Sequence, residues 1–188
     1  MAKGAHNTLR IIGGEWRGRK LQFPNVEAIR PTPDRVRETL FNWLAPMIRG
    51  AHCLDLFAGS GALGFEALSR GAATVVMCDS NVKIISKFKE HAALLKTDKA
   101  MFVHCEALEF LKRNKQTFDL VFLDPPFNSN LLEACFKILS EKDYLNDGAT
   151  VYVEAHVKDE IPETPENWSL HRNKRAGEVA YYLFKYTE

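Results

Sequence analysis

Asp124-Pro125-Pro126-Phe127 combines a carboxylate, two prolines and an aromatic ring at the end of a short apolar run. Successive prolines remove two backbone donors and stiffen the turn, so the carbonyl before each is held as an acceptor. Asp124 and one such carbonyl could accept both N–H bonds of an exocyclic amino group, while Phe127 stacks on the base that bears it. Nucleobase-modifying enzymes read a base taken out of its stack in this way. A plain structural turn after a strand is the alternative.

A glycine-rich turn with the spacing G-x-G-x-x-G joins the apolar run 54–57 to a helical pattern. Gly59, Gly61 and Gly64 suit a sharp strand-to-helix turn that a ligand approaches closely. That spacing alone indicates only a nucleotide-like cofactor. Asp55 narrows the choice, because a carboxylate here would repel a pyrophosphate but would attract the ammonium of a methionine moiety. The pattern therefore favours S-adenosylmethionine, and an aspartate that merely caps the turn is the alternative.

Two further carboxylates follow predicted strands. The run 74–78 ends in Asp79, 20 residues beyond Gly59, where a carboxylate can accept hydrogen bonds from ribose hydroxyls. Glu106 follows the run 100–105. Because ligands bind at the carboxyl ends of parallel strands, we expect Asp55, Asp79, Glu106 and Asp124 to converge on one crevice.

Alternating strand and helix patterns must position these residues. Strands are predicted at 54–57, 74–78, 100–105, 120–123, 150–154, 168–171 and 179–186, and helices after the glycine turn and at 81–95 and 131–139. This order predicts an α/β, Rossmann-like, doubly wound fold with a mostly parallel seven-stranded sheet.

The segment 30–38 predicts the start of another helix, whose apolar stripe runs to residue 48 and faces the core. Thr32 is predicted as its N-cap and Pro33 as its first helical residue. Arg35 and Arg37 lie in the first turn, where the helix dipole disfavours cations. That conflict hints at an anionic ligand, and two solvated arginines are equally possible.

The first 20 residues are strongly basic, with five basic groups against one acid, although the whole chain carries a net charge of only +1. Segments 8–12 and 16–22 flank Gly13-Gly14-Glu15, which predicts a β-hairpin extension. Arginines beside an aromatic ring suit phosphate contacts and base stacking on RNA. The predicted RNA contacts of this hairpin are Arg10, Trp16, Arg17, Arg19 and Lys20, and a solvated surface hairpin is the alternative.

The length of 188 residues suits one domain, with a basic hairpin arm over residues 1–24 and a catalytic core over 30–188. The start shows no apolar leader pattern, and no run of 18 apolar residues occurs, which predicts a cytoplasmic protein without a membrane partner. The four cysteines lie far apart and form no Cys-x-x-Cys pair. Neither a metal site nor a disulfide framework is therefore expected.

The order Asp55, Gly59-Ser60-Gly61, Asp79, Asp124-Pro125-Pro126-Phe127 resembles class I S-adenosylmethionine-dependent methyltransferases that methylate amino groups. Segments 10–20, 30–38, 55–68 and 176–181 resemble, more narrowly, the bacterial small-subunit ribosomal RNA guanine-N2-methyltransferase family, over essentially the whole chain. The resemblance implies methyl transfer from S-adenosylmethionine to the N2 amino group of one guanine in small-subunit (16S) ribosomal RNA. It also implies a monomer that acts on an assembling 30S particle.

Site roles follow from the same resemblance. The tetrapeptide Asp124, Pro125, Pro126 and Phe127 would be catalytic, and Arg35 would join the hairpin in binding RNA. Cofactor contacts would come from Asp55, Phe57, Ala58, Gly59, Ser60, Gly61, Asp79, Ser80, Glu106, Ala107 and Thr32.

Three alternatives share part of this pattern. An adenine-N6 methyltransferase acting on DNA or RNA keeps the same core, and only the N-terminal segments argue against it. An NAD(P)-dependent oxidoreductase shares the glycine turn and Asp79 but leaves Asp55 and the diproline turn unexplained. A non-catalytic RNA-binding assembly factor could use the hairpin alone, but would leave the glycine turn without a purpose.

Overall fold

The elements of the computed structural model begin with a small hairpin and then alternate between strand and helix. The structure describes residues 7–23, 32–127, 129–141 and 143–188. Within them the order is β1 (Asn7–Arg10), β2 (Lys20–Phe23), α1 (Asp34–Leu44), β3 (His52–Asp55), α2 (Ala62–Ser69), β4 (Thr74–Asp79), α3 (Val82–Leu95), β5 (Ala100–His104), α4 (Ala107–Arg113), β6 (Phe118–Leu123), α5 (Leu131–Glu141), β7 (Leu145–His156), β8 (Trp168–Ala176) and β9 (Val179–Tyr186).

Seven strands form one sheet in the order β5-β4-β3-β6-β7-β9-β8, and β1 pairs with β2 in a separate hairpin. The pairs among β3 to β7 are parallel, whereas β9 runs antiparallel between β7 and β8. The chain builds outward from β3 to β5 and then crosses back to β6. This reversal opens a crevice at the carboxyl ends of the strands. The predicted doubly wound fold with a seven-stranded sheet is confirmed.

Alternate side chains of the buried strands point into two apolar layers, one on each face of the sheet. Along β3, Cys53 joins the layer that contains α1, α2, α3 and the hairpin, while Leu54 joins the layer under α4 and α5. In β6, Phe122 and Leu123 divide in the same way. Burial on both faces explains why these strands read as continuous apolar runs in the sequence.

The N-terminal hairpin is shorter in its strands and more deeply packed than the sequence indicated. Asn7 pairs with Phe23 and Arg10 with Lys20, and a long loop joins the two four-residue strands. Leu9, Ile11, Trp16, Leu21 and Phe23 are all buried in the layer that contains α1 to α3. The alternative of a solvated surface hairpin was therefore wrong, because most of its apolar side chains pack into the domain.

Several predicted boundaries shift in the structure. Pro33, and not Thr32, is the N-cap of α1, with an extended ψ of 144°, and no side chain caps the helix. Helix α4 was not predicted, and β7 and β8 are longer than the runs 150–154 and 168–171. The boundary predicted between residues 24 and 30, and the Arg30-Pro31 part of segment 30–38, lie outside the described residues.

Candidate functional site

The glycine turn connects β3 to α2 in the conformation that its spacing predicts. Gly61 is the N-cap of α2 with φ +80°, and a Cβ there would lie 2.8 Å from carbons of the Phe65 and Phe88 rings. A Cβ on Gly64 would lie 2.8 Å from the Met77 side chain on β4. Gly61 therefore satisfies the turn, and Gly64 lets the helix pack closely on the sheet.

Asp55 and Asp79 both hold backbone groups of this turn. Asp55 is buried and accepts the N–H of Gly64 through Oδ2 at 2.9 Å. Asp79 accepts the N–H of Gly59 through Oδ2 and that of Asn81 through Oδ1. The pKa of Asp55 is raised to about 7, mainly by burial. The hydrogen bond from the Gly64 N–H lowers this pKa, and the charge of Asp79 raises it. One oxygen of Asp55 therefore caps the turn, as the alternative interpretation held. The carboxylate still has further acceptor sites for a ligand.

A cleft of about 940 Å³ opens at the carboxyl ends of the strands. It contains Asp55, Asp79, Glu106 and Asp124 together, as the strand pattern led us to expect. Gly61 is the one residue predicted for the cofactor or for catalysis that does not line the cleft. The predicted residues that do line it are Thr32, Asp55, Phe57, Ala58, Gly59, Ser60, Asp79, Ser80, Glu106, Ala107, Asp124, Pro125, Pro126 and Phe127. Their roles remain predictions, whereas their convergence is a feature of the structure.

Asp124, which is half-buried, lies beside the buried carboxylate of Glu154. Thr32 donates its hydroxyl to Oδ2 of Asp124 at 3.5 Å, and Tyr152 donates its hydroxyl to Oε2 of Glu154 at 2.8 Å. Burial raises the pKa of Asp124 well above its usual value, and the charges of Glu154 and Asp55 raise it further. Burial also raises the pKa of Glu154, against the hydrogen bonds from Tyr152 and Thr32. Two neighbouring carboxyl groups cannot easily both ionise, so protonation of one depends on the other.

Glu154 is the cleft residue that sequence reasoning missed. It was not among the predicted site residues, although it is 4% exposed and lies near the carboxyl end of β7. The signal was available, because the strand-end rule that selected Asp55 and Asp124 applies equally to β7. Thr32 contacts Asp124 instead of capping α1, a contact between residues 92 positions apart that no local pattern encodes.

The predicted RNA contacts fall outside the cleft. Arg17, Arg19, Lys20 and Arg35 are exposed, and Arg10 is exposed and pairs with Asp34 at 3.1 Å. Trp16 is only 8% exposed and packs in the core, so the stacking role predicted for it was wrong. Its loop is anchored at the end of α2 remote from Gly61.

That anchor consists of backbone groups bonded to Ser69. The N–H of Trp16 donates to Ser69 Oγ at 2.9 Å, the N–H of Glu15 donates to Ser69 O at 2.7 Å, and Ser69 Oγ donates to Gly13 O at 2.6 Å. At 1.5 Å per residue, the eight residues of α2 separate this anchor from the glycine turn by about 12 Å.

Arg37 does not face an anionic ligand, because it belongs to a buried ion-pair network. It is 1% exposed and contacts Glu66 at 3.5 Å and Asp34 at 2.5 Å, and it donates to Arg10 O at 2.9 Å. Glu66 is fully buried, accepts Arg70 Nε at 2.7 Å and accepts the N–H of Ile12 at 2.9 Å. This network joins α1 and α2 to the hairpin, so the hint drawn from the helix dipole was wrong for Arg37.

Two kinds of feature are absent from the described residues. No group of three or more histidine, cysteine, aspartate or glutamate side chains there could hold a metal ion. None of the helices in this part of the chain is long and apolar enough to cross a membrane.

This chain is similar in sequence and in structure to known proteins. A family model described as conserved hypothetical protein 95 matches residues 9–185. Ribosomal RNA small subunit methyltransferase D of Escherichia coli is 50% identical over 177 residues, which cover 94% of this chain and 89% of that protein. The protein of the same name from Haemophilus influenzae is 47% identical over 185 residues, covering 96% of this chain and 95% of its own length. The solved structure of the Escherichia coli protein yhhF superposes with a TM-score of 0.90 at 48% identity, and covers 96% of this chain and 99% of that one.

Proposed function

Since the chain belongs to the conserved hypothetical protein 95 family, which it matches over residues 9–185, and is half identical to a ribosomal RNA small subunit methyltransferase, we propose that it is an RNA methyltransferase. It transfers a methyl group from S-adenosylmethionine to the exocyclic N2 amino group of one guanine in small-subunit (16S) ribosomal RNA. It acts in the cytoplasm as a monomer on an assembling 30S particle. The observation that carries this proposal is the shared cleft, in which the glycine turn and the Asp124 tetrapeptide meet.

The residues of the cleft suit S-adenosylmethionine, which supplies an electrophilic methyl group when bound. Asp55 offers a carboxylate to the ammonium of the methionine moiety, and the N-terminus of α2 suits its carboxylate. Asp79 keeps acceptor capacity for ribose hydroxyls. Glu106 is exposed at the cleft between β5 and α4, where Ser80 and Ala107 also lie, and together they border the adenosine end.

The tetrapeptide holds the base. Guanine presents N1–H and one N2–H side by side, and the Asp124 carboxylate accepts both. A carbonyl held by the prolines accepts the other N2–H, so the N2 lone pair points toward the methyl group. Most of the rate gain then comes from positioning. Phe127 lines the cleft beside Asp124 and lies edge to face with His156, with 5.5 Å between ring centroids. One face of its ring is proposed to stack on the guanine.

Product analysis tests this function directly. The full chain is incubated with labelled S-adenosylmethionine and 30S particles from cells that lack the gene, and the RNA is digested and resolved by mass spectrometry. We expect one methyl group per particle, recovered as N2-methylguanosine from 16S RNA. Recovery as N6-methyladenosine would favour the adenine alternative. If neither 30S particles nor protein-free 16S RNA accepted a methyl group, the proposal would be refuted.

Asp55→Asn should weaken S-adenosylmethionine binding by about 10- to 100-fold at about pH 7.5, the value of a charged hydrogen bond. Asparagine keeps an acceptor for the Gly64 N–H, so the turn survives and only the charge is removed. Calorimetric titration of the folded variant measures the change. Unchanged affinity would mean that Asp55 serves the turn alone.

The same residue predicts a pH dependence. The pKa of Asp55 is about 7 in the free protein, so the carboxyl is protonated below that pH and must lose the proton to pair with an ammonium. Affinity should therefore fall as pH is lowered from about 7.5 to about 5.5, by up to about tenfold per pH unit. In Asp55→Asn this fall should disappear, and a fall of the same size in the variant would assign it to another group.

Arg17→Ala combined with Arg19→Ala should weaken RNA binding in a salt-dependent way. For every phosphate that the variant no longer neutralises, the slope of log affinity against log salt should fall by about 0.7 to 0.9. Both side chains are exposed, so the melting temperature should not change. If the slope equals that of the unmodified protein, the hairpin loop makes no phosphate contacts with RNA.

A further inference from the structure

Strand β8 presents a row of basic side chains at the edge of the sheet. Its sequence, Trp168–Ala176, contains His171, Arg172, Lys174 and Arg175 and no aspartate or glutamate. All four of these side chains are exposed, and only Trp168 in the strand is buried. The strand is the last of the seven, so its outer edge has no partner strand among the described residues.

The row leads to the part of the cleft that holds the base. Strand β9 pairs antiparallel with both β7 and β8, so β7 and β8 run in the same direction and both end at the cleft. Glu178, in the turn after β8, and Val179, the first residue of β9, line the cleft together with Asp124 and Glu154. Arg175 pairs with Ala180, and Lys174 with Tyr181, which pairs on its other side with Glu154.

The cofactor side of the cleft lies elsewhere along the sheet. Asp55 and Asp79 are the last residues of β3 and β4, and Glu106 follows β5; these strands occupy the opposite half of the strand order. The cationic edge therefore adjoins the substrate half, where RNA must leave the cleft on both sides of a target base.

Some of these charges are explained by the need to keep the open edge of β8 from pairing with other chains. Charged side chains and bulges commonly keep edge strands from pairing with other chains, and β8 has a register shift between Leu170 and Arg172. Edge protection does not require a single sign of charge, however. Arg172, Lys174 and Arg175 form no ion pair with any residue in the described part of the chain, and the Arg172 guanidinium lies 6.0 Å from the centre of the Trp43 ring. Like charges left unpaired in a row are complementary to a polyanion.

We propose that the β8 edge is a second RNA-binding surface, which grips the phosphates of nucleotides next to the target base. This inference rests on the proposed function and names the surface through which that function meets its substrate. Neighbouring residues of a strand point to opposite faces of the sheet, so Lys174 and Arg175 contact the phosphates nearest the cleft from the two sides of the edge. Arg172, on the same side as Lys174, extends the contact outward. The hairpin loop cannot supply this contact, because it is anchored at the end of α2 that lies away from the cleft.

Salt-dependent binding of protein-free 16S RNA tests the proposal. Lys174→Gln with Arg175→Gln is compared with Lys89→Gln with Lys99→Gln, which removes the same charge from exposed lysines on the β5 side of the sheet. We expect the slope of log affinity against log salt to fall by about 1.4 to 1.8 in the first variant and to stay unchanged in the second. The first variant should also raise KM for RNA in the methylation assay while S-adenosylmethionine affinity stays at the wild-type value.

The outcomes separate this proposal from the proposed function. Equal slopes for the β8 variant and the unmodified protein would overturn the β8 surface, and increased self-association of that variant would assign the row to edge protection. Equal losses in both variants would show a diffuse charge effect and also overturn it. Failure of the unmodified protein to methylate RNA would refute the proposed function instead, since RNA binding is measured without methyl transfer.

Discussion

Asp124→Asn is expected to lower the single-turnover methylation rate by about 100-fold or more, the effect of misplacing a substrate by about 1 Å. The Asp124 carboxylate is proposed to accept two N–H bonds of guanine, whereas an amide presents an N–H donor to one of them. Affinity for S-adenosylmethionine should change little, because Asp124 follows β6 and lies away from β4 and β5. Rapid-mixing assays with saturating cofactor and RNA measure the rate.

Asp98→Asn is the matched control, since it makes the same change at an exposed position before β5 and should leave the rate unchanged.

Glu154→Gln tests the carboxylate pair. Because the charge of Glu154 raises the pKa of Asp124, its removal should shift the ascending limb of the pH–rate profile to lower pH. A wild-type rate in Asp124→Asn would exclude Asp124 from positioning the base, and an unshifted limb in Glu154→Gln would show that the two groups titrate independently.

Arg37→Met is expected to destabilise the fold by about 3 kcal/mol, near the lower end for breaking a buried ion pair, because Arg70 remains beside Glu66. The substitution leaves Glu66 fully buried with one cation fewer, and it also removes the hydrogen bond to Arg10 O. For a chain of this size the melting midpoint should fall by about 6–12 °C. Thermal and denaturant unfolding both measure it.

Arg35→Met provides the contrast from the same helical turn, because Arg35 is exposed and should change stability by no more than about 0.5 kcal/mol. The double change Arg37→Met with Glu66→Gln should recover part of the stability, since it removes the charge that was left buried. Equal midpoints for the Arg37 and Arg35 variants would mean that the network contributes nothing to stability.

Residues whose roles depend on local backbone were predictable from the sequence. Gly61 requires a positive φ and Asp79 ends a strand, and both features are encoded within a few positions of the residue itself. The parallel sheet followed from the alternation of patterns, and the carboxyl-end rule then placed Asp55 and Asp124 in one cleft. The family resemblance read from the same motifs is confirmed.

Residues whose partners are distant in the chain were read wrongly or missed. Arg37 looked like a cation in an unfavourable helical turn because its partner Glu66 is 29 positions away. Trp16 sits among basic residues, which favoured RNA, but the loop tucks its ring against the domain through bonds to Ser69, 53 positions away. Glu154 was not predicted as a site residue, because its place in the cleft depends on the Thr32 hydroxyl and on the neighbouring strand β9, both distant in the chain.

The place of β9 between β7 and β8 has a consequence for how the chain folds. Strand β8 is synthesised before β9 but contacts the sheet only through it. While residues 157–178 are being made, β7 keeps an open edge, and an open edge can pair with another chain. Pairings that wait for a later segment slow folding and prolong exposure to aggregation. Substitutions that weaken β9 should therefore reduce the yield of folded protein during synthesis more than they reduce the stability of protein that has already folded.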